Sequence, residues 1–118
     1  MNKRTEGAKW EKVAGEFLER HGIQVIQYNF RCRFGEIDII GMDEDVLVFY
    51  EVKYRRDAEY GKPAEAVGSR KQKVIIKVSD YYRMVNNISW DTPIRYDVIV
   101  IQGNVIELIP AAFMRDGF

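Results

Sequence analysis

The sequence predicts a mixed α/β fold, one sheet flanked by helices in the order α-β-β-β-α-β-β. Three observations carry it. Two segments repeat apolar residues at helical spacing. Five shorter segments are rich in β-branched and aromatic residues and end at turn residues. The helices do not alternate one for one with the strands, which argues against a Rossmann repeat. With 118 residues, 47% of them hydrophobic, the chain suits a single domain over 1–118 with its own core.

The first helix is expected from Thr5 to Arg20. Trp10, Val13, Ala14, Phe17 and Leu18 form its apolar stripe, and Gly22 is placed to cap its end. Ile23 to Tyr28 reads as the first strand and Asn29 to Phe34 as a basic turn. Glu36 to Met42 and Val46 to Arg55 read as the second and third strands, joined by the acidic turn Asp43-Glu44-Asp45. Gly61 to Gly68 reads as loop. Ser69 then opens a helix to Val85, and Ser69-x-x-Gln72 has the form of a capping box. Val74, Ile75, Val78, Tyr81, Tyr82 and Val85 make its buried stripe, and Asn86-Asn87 end it. Tyr96 to Gln102 and Val105 to Ile109 are the last two strands, hinged at Gly103-Asn104.

Eighteen basic and eighteen acidic residues give a net charge of zero, which argues against a strongly basic nucleic-acid coat protein. The distribution is more informative. Six acids and no Lys or Arg lie between Glu36 and Glu51. Eight bases against three acids lie between Lys53 and Lys77. An acidic pocket beside a basic approach fits metal-dependent work on a polyanion. The lone Cys32, the polar start and the lack of an apolar run of about 20 residues lead us to expect a cytoplasmic protein without a signal peptide or membrane span.

The candidate chemistry centres on Asp38 and Glu51-Val52-Lys53. These charges lie on or beside strand-like apolar segments, where they are costly unless paired or bound to metal. Residues i and i+2 of a strand share a face, so Glu51 and Lys53 project together and a neighbouring strand can bring Asp38 alongside. Mg²⁺ or Mn²⁺ would take Asp38 and Glu51 as ligands, with the Val52 carbonyl as a third oxygen. Lys53 would orient the attacking water or stabilise the phosphate. Arg31 and Arg33, just before the Asp38 strand, are candidates for bidentate phosphate contact, and Arg55 joins them from the basic stretch. Tyr81, Tyr82 and Trp90 are candidates for base stacking, although Tyr81 also has core spacing. Asp97 follows Arg95 at i+2 and reads as its structural partner.

Asp38, twelve residues, then Glu51-Val52-Lys53 resembles the PD-(D/E)xK nuclease superfamily, with Ile37 where its motif has proline. The ordered set Gly15-Glu16, Asn29, Gly35-Glu36-Ile37-Asp38, Glu51-Val52-Lys53, Lys71-Gln72 and Arg95-Tyr96-Asp97-Val98 resembles, over nearly the whole chain, the YraN-like family of predicted nucleases. The resemblance implies a restriction-endonuclease-like core. It implies that Glu16 assists metal binding from the first helix, and that Gln72, with Lys71, contacts phosphate or water. We expect a Mg²⁺- or Mn²⁺-dependent endonuclease acting on DNA, branched or resolvase-like substrates included; the resemblance itself bears on the site more than on the substrate. Resolvase-like work needs two sites, hence a two-fold dimer. The stretch Val105 to Phe113, with Phe118, either supplies that interface or completes the core. Two other readings compete: a nucleic-acid-binding protein of nuclease fold with little or no activity alone, and a structural domain in which Asp38, Glu51 and Lys53 form a buried ion cluster.

Overall fold

A computed structural model of the chain describes residues 3–55 and 67–115. Its elements are α1 (Lys3–Arg20), β1 (Gln24–Cys32), β2 (Gly35–Asp43), β3 (Val46–Arg55), α2 (Ser69–Val85), β4 (Ile94–Gln102) and β5 (Val105–Phe113). The α-β-β-β-α-β-β order is the one the sequence predicts. Most of the expected loop at Gly61 to Gly68, and Phe118, lie outside the described residues.

The five strands form one mixed sheet in the order β1-β2-β3-β4-β5. β1–β2, β2–β3 and β4–β5 pair antiparallel, while β3 and β4 are parallel. A parallel neighbour needs a long crossover, and α2 lies within it. Each helix covers one face. Ile75, Val78 and Tyr82 of α2 pack on Ile37, Phe49, Tyr96 and Val98. Ala14 and Leu18 of α1 pack on Ile39, Val48, Tyr50 and Ile99. Burial of these side chains, about 1.5–3 kcal/mol for each large one, holds the three layers together.

Local chemistry explains the boundaries. α1 stops at Gly22, whose φ of 82° is left-handed; the Ile23 N–H bonds the Leu18 carbonyl and the Gly22 N–H the Glu19 carbonyl. Asn29 to Cys32, expected as a turn, instead continues β1, and the turn shrinks to Arg33-Phe34 between the paired Cys32 and Gly35. Gly35 must be glycine on two counts: its φ is 147°, and a Cβ there would stand 2.7 Å from Val74 Cγ1 of α2. β5 runs on past Ile109 through Pro110, tolerated because β5 is an edge strand. The capping box does not form. Gly68 is the N-cap of α2 without a side-chain bond, and Gln72 Nε2 instead donates to the Val67 carbonyl at 2.9 Å. Val85, expected in the stripe, is exposed.

Candidate active site

β2 and β3 part at the residues of interest. Their pairing runs from Asp43–Val46 to Ile39–Tyr50. Beyond it, the Val52 N–H donates to Asp38 Oδ2 at 2.8 Å. A side-chain carboxylate thus replaces a ladder partner and is fixed in the notch between the strands. The N–H and C=O of a strand residue face the same neighbour, so the Val52 carbonyl faces this notch too. The Val52 side chain packs with the α1-side core. Glu51 and Lys53 therefore project together toward the α2 side. Lys53 is exposed, and Lys71 of α2 comes within 3.9 Å of Glu51 Oε2.

Asp38 is nearly buried and is joined by two further acids. Burial, then the Asp38 charge and a hydrogen bond to Asp38, push the Glu51 carboxyl up to about 9, against the pull of Lys71. Burial and Asp38 also push Glu11 up to about 7, opposed by a hydrogen bond from Asn29. Burial and neighbouring negative charge thus favour the protonated forms of Glu51 and Glu11, as expected when like charges share a poorly solvated place. Glu11 Oε1 is buried without a hydrogen-bond partner.

This donor set fits a hard divalent cation, because oxygen donors with excess negative charge are what Mg²⁺ and Mn²⁺ take. Among the described residues no group of three or more His, Cys, Asp or Glu side chains is placed to hold a metal ion together. The carboxyls touch pairwise, Asp38 with Glu11 and Asp38 with Glu51. A partial set suits Mg²⁺, which keeps several waters and is usually held by one or two carboxylates plus phosphate oxygens.

The structure brings some of the expected site residues to the notch and leaves others apart from it. The α1 acid that reaches Asp38 is Glu11. Glu16 is exposed and borders, with Glu19 and Tyr28, a depression that Glu11 and Asn29 also line. Five residues turn a helix by about 140°, so the two acids cannot share a direction. Glu11 stands three and seven residues before Ala14 and Leu18, both wholly buried, and that phase is the signal by which the sequence could have yielded it. Arg55 is 8% exposed, which withdraws it from surface contact with nucleic acid. Gln72 Nε2 is engaged by Val67, so this N–H is committed to the entry of α2. Arg31 donates through Nε to Glu36 at 2.8 Å and lines a cleft of about 280 Å³ with Ala8, Glu11, Asn29 and Glu36, at the rim of the acid cluster. Arg33 lies elsewhere, over the Phe34 ring at 4.8 Å.

These features define an α/β domain with a carboxylate-lined notch where two central strands separate and lysines at its rim. Within that class, the chain belongs to the uncharacterised protein family UPF0102, which residues 10–101 match. It is similar to UPF0102 proteins of Lachnoclostridium phytofermentans (44% identical over 113 residues, 96% of each chain) and Clostridioides difficile (44% over 101 residues, 86% of this chain and 88% of the relative). A UPF0102 protein of Syntrophus aciditrophicus is 44% identical over 118 residues, covering 96% of this chain and 91% of the relative.

Proposed function

We propose that this chain is a divalent-cation-dependent endonuclease that cleaves phosphodiester bonds in DNA, branched or resolvase-like substrates included, and that its core is restriction-endonuclease-like. One observation carries the reading: Asp38 is locked by the Val52 N–H beside Glu51, while Lys53 projects from the same face of β3. Asp38 paired with Glu51 would hold Mg²⁺ or Mn²⁺, with the Val52 carbonyl as a third oxygen and Glu11 beside Asp38. When bound, the ion supplies a lowered pKa for its water and positive charge against the phosphate.

The chain's own groups do the rest. The Lys53 ammonium orients the attacking water and donates hydrogen bonds to phosphate oxygens as charge builds on them. Lys71, already beside Glu51, offers a second cation for the scissile phosphate. Arg31 at the rim contacts a neighbouring phosphate by exchanging its exposed Glu36 partner. The water's proton leaves to solvent, and the departing oxygen is protonated from solvent. The second reading, a nucleic-acid-binding protein with little activity alone, is favoured by one observation, the commitment of the Gln72 amide to Val67.

We further propose a cytoplasmic protein, on the lone Cys32. Among the described residues no helix is long and apolar enough to cross a membrane. Two cuts across a junction would require a two-fold dimer.

The test is cleavage of labelled duplex, single-stranded, flap and four-way-junction DNA with Mg²⁺ or Mn²⁺. The reading expects scission of at least one substrate, lost in EDTA, in Asp38→Ala and in Lys53→Ala. Scission that survives Asp38→Ala, or none on any substrate, would sink it.

A further inference from the structure

α2 carries five bases, Arg70, Lys71, Lys73, Lys77 and Arg83, against one acid, Asp80. Three of them stand in its first five residues, with no acid in the first turn. Cations at a helix N-terminus oppose the macrodipole, so this placement works against the helix's own stability. Arg70, Lys73, Lys77, Tyr81 and Met84 fall within about 80° of arc and extend over about 21 Å of α2. The three bases are exposed. Asp80 is tied to Arg115 through two bonds.

The stripe begins at Arg70, next in sequence to the Lys71 that meets Glu51, and ends in an aromatic depression of about 330 Å³ lined by Arg33, Phe34, Lys77, Tyr81, Met84 and Trp90, with Asp80 also in its wall. Lys77 Nζ stands 4.6 Å from the centre of the Phe34 ring and the Arg33 guanidinium 4.8 Å from it. Trp90 and Met84 are 61% and 60% exposed, large for an indole and a thioether without a use in water. Arg83 covers one face of Trp90 at 4.2 Å. Arg83 is itself buried, and its Nε has no hydrogen-bond partner. Its Nη2 donates to the Ser89 carbonyl at 3.3 Å, and among the described residues no carboxylate pairs with it.

Cations in a row with an exposed aromatic at the end match a strand whose bases are unpaired. Phosphates track the charges and a base stacks on the open ring face. Duplex DNA would present only phosphates and leave Trp90 idle. We propose that the outer face of α2 takes a single-stranded segment of the nucleic acid. Its phosphates lie along Arg70, Lys73, Lys77 and Arg33, and one base stacks on Trp90. The inference deepens the nuclease reading and rests on it for the choice of polyanion. Phe34 is four residues from Asp38, about 13 Å along an extended strand, so the single-stranded arm would leave the cut site directly.

The experiment is anisotropy titration of a fluorescein-labelled thymidine 20-mer in EDTA, with unlabelled duplex as competitor and Trp90 fluorescence read in parallel. Wild type is expected to bind with quenching of Trp90. The Lys73→Ala/Lys77→Ala double variant should bind at least tenfold more weakly, with a salt slope shallower by about 1.4. Trp90→Ala should lose about tenfold for the single strand and little for duplex. Arg20→Ala, at the end of α1, is the charge control, and thermal melting confirms that each variant is folded. Single-strand binding indifferent to these changes, equal loss of duplex binding in Trp90→Ala, or no nucleic-acid binding would overturn the proposal. Because cleavage is not read, the two proposals fail separately. A protein that binds through this face but never cuts sinks the nuclease, and one that cuts through Asp38 while ignoring these variants sinks the single-strand face.

Discussion

Two groups of buried carboxylates sit on the central strands, and they are built in opposite ways. At one, Asp97 of β4 is fully buried and saturated. It accepts from Arg95 Nε and Nη2 at 2.9 and 3.0 Å and from the Ala111 N–H at 2.9 Å. Arg95 Nη2 also reaches Asp43 at 3.0 Å. Ala111 adopts a φ of 49° where the β4–β5 register shifts, and its N–H is among those Asp97 receives. The Asp97 hydrogen bonds push Arg95 further above its already high range. At the other, Asp38, Glu51 and Glu11 gather with one backbone N–H, one Asn and one Lys at 3.9 Å. The first cluster is balanced and serves the fold. The second carries more negative charge than its surroundings answer, and it answers part of that by taking up protons. It is this imbalance on which the proposal of a cation site rests.

The largest effect should come from breaking the balanced cluster. Asp97→Ala leaves the Ala111 N–H without its acceptor and Arg95 with Asp43 alone, and should cost about 3–5 kcal/mol in urea denaturation. A loss below 1 kcal/mol would break the comparison. The unbalanced cluster should respond with the other sign. In cation-free buffer at pH 8, Glu51→Gln should be stabilising by about 1–3 kcal/mol, because it removes a carboxyl whose ionisation the fold opposes.

The pH dependence follows from the same shifts. The folded values for Glu51 and Glu11, about 9 and about 7, lie above the ordinary 4.5. The folded state then binds protons that the unfolded chain has released. Their contribution is complete below pH 4.5 and is lost as pH rises through 7 and on to 9. Thermal melts in EDTA should therefore fall from pH 5 to pH 9, by about 4 °C for each kcal/mol in a chain of this size. Asp38→Asn should flatten the fall, and an equal fall in that variant would remove the cluster from the explanation. The smallest effect belongs to the exposed Arg115–Asp80 pair, where Arg115→Ala should cost no more than about 1 kcal/mol.

Much of this was legible in the sequence, for identifiable reasons. Strand alternation put Glu51 and Lys53 on one face, and the Arg95–Asp97 spacing announced its pair. Glu16 and Glu11 flank the same stripe, and the phase of Glu11 against the buried Ala14 and Leu18 is the signal that turns it toward Asp38. Asn29 to Cys32 read as a turn because they are polar and basic, yet an edge strand tolerates such residues. Arg55 looked like a surface base because burial of an arginine depends on packing that no local pattern encodes. The exposed basic stripe of α2 was visible as charge, whereas its junction with Trp90 required the fold.

The most direct test of the central claim is Mn²⁺ binding by calorimetry at pH 7, in two buffers of different ionisation enthalpy. A cation that enters the Asp38–Glu51–Glu11 notch must displace protons held there. The account predicts binding to wild type with about one proton released, and neither binding nor release in Asp38→Ala. Mn²⁺ that binds without proton release, or equally well to Asp38→Ala, would contradict it.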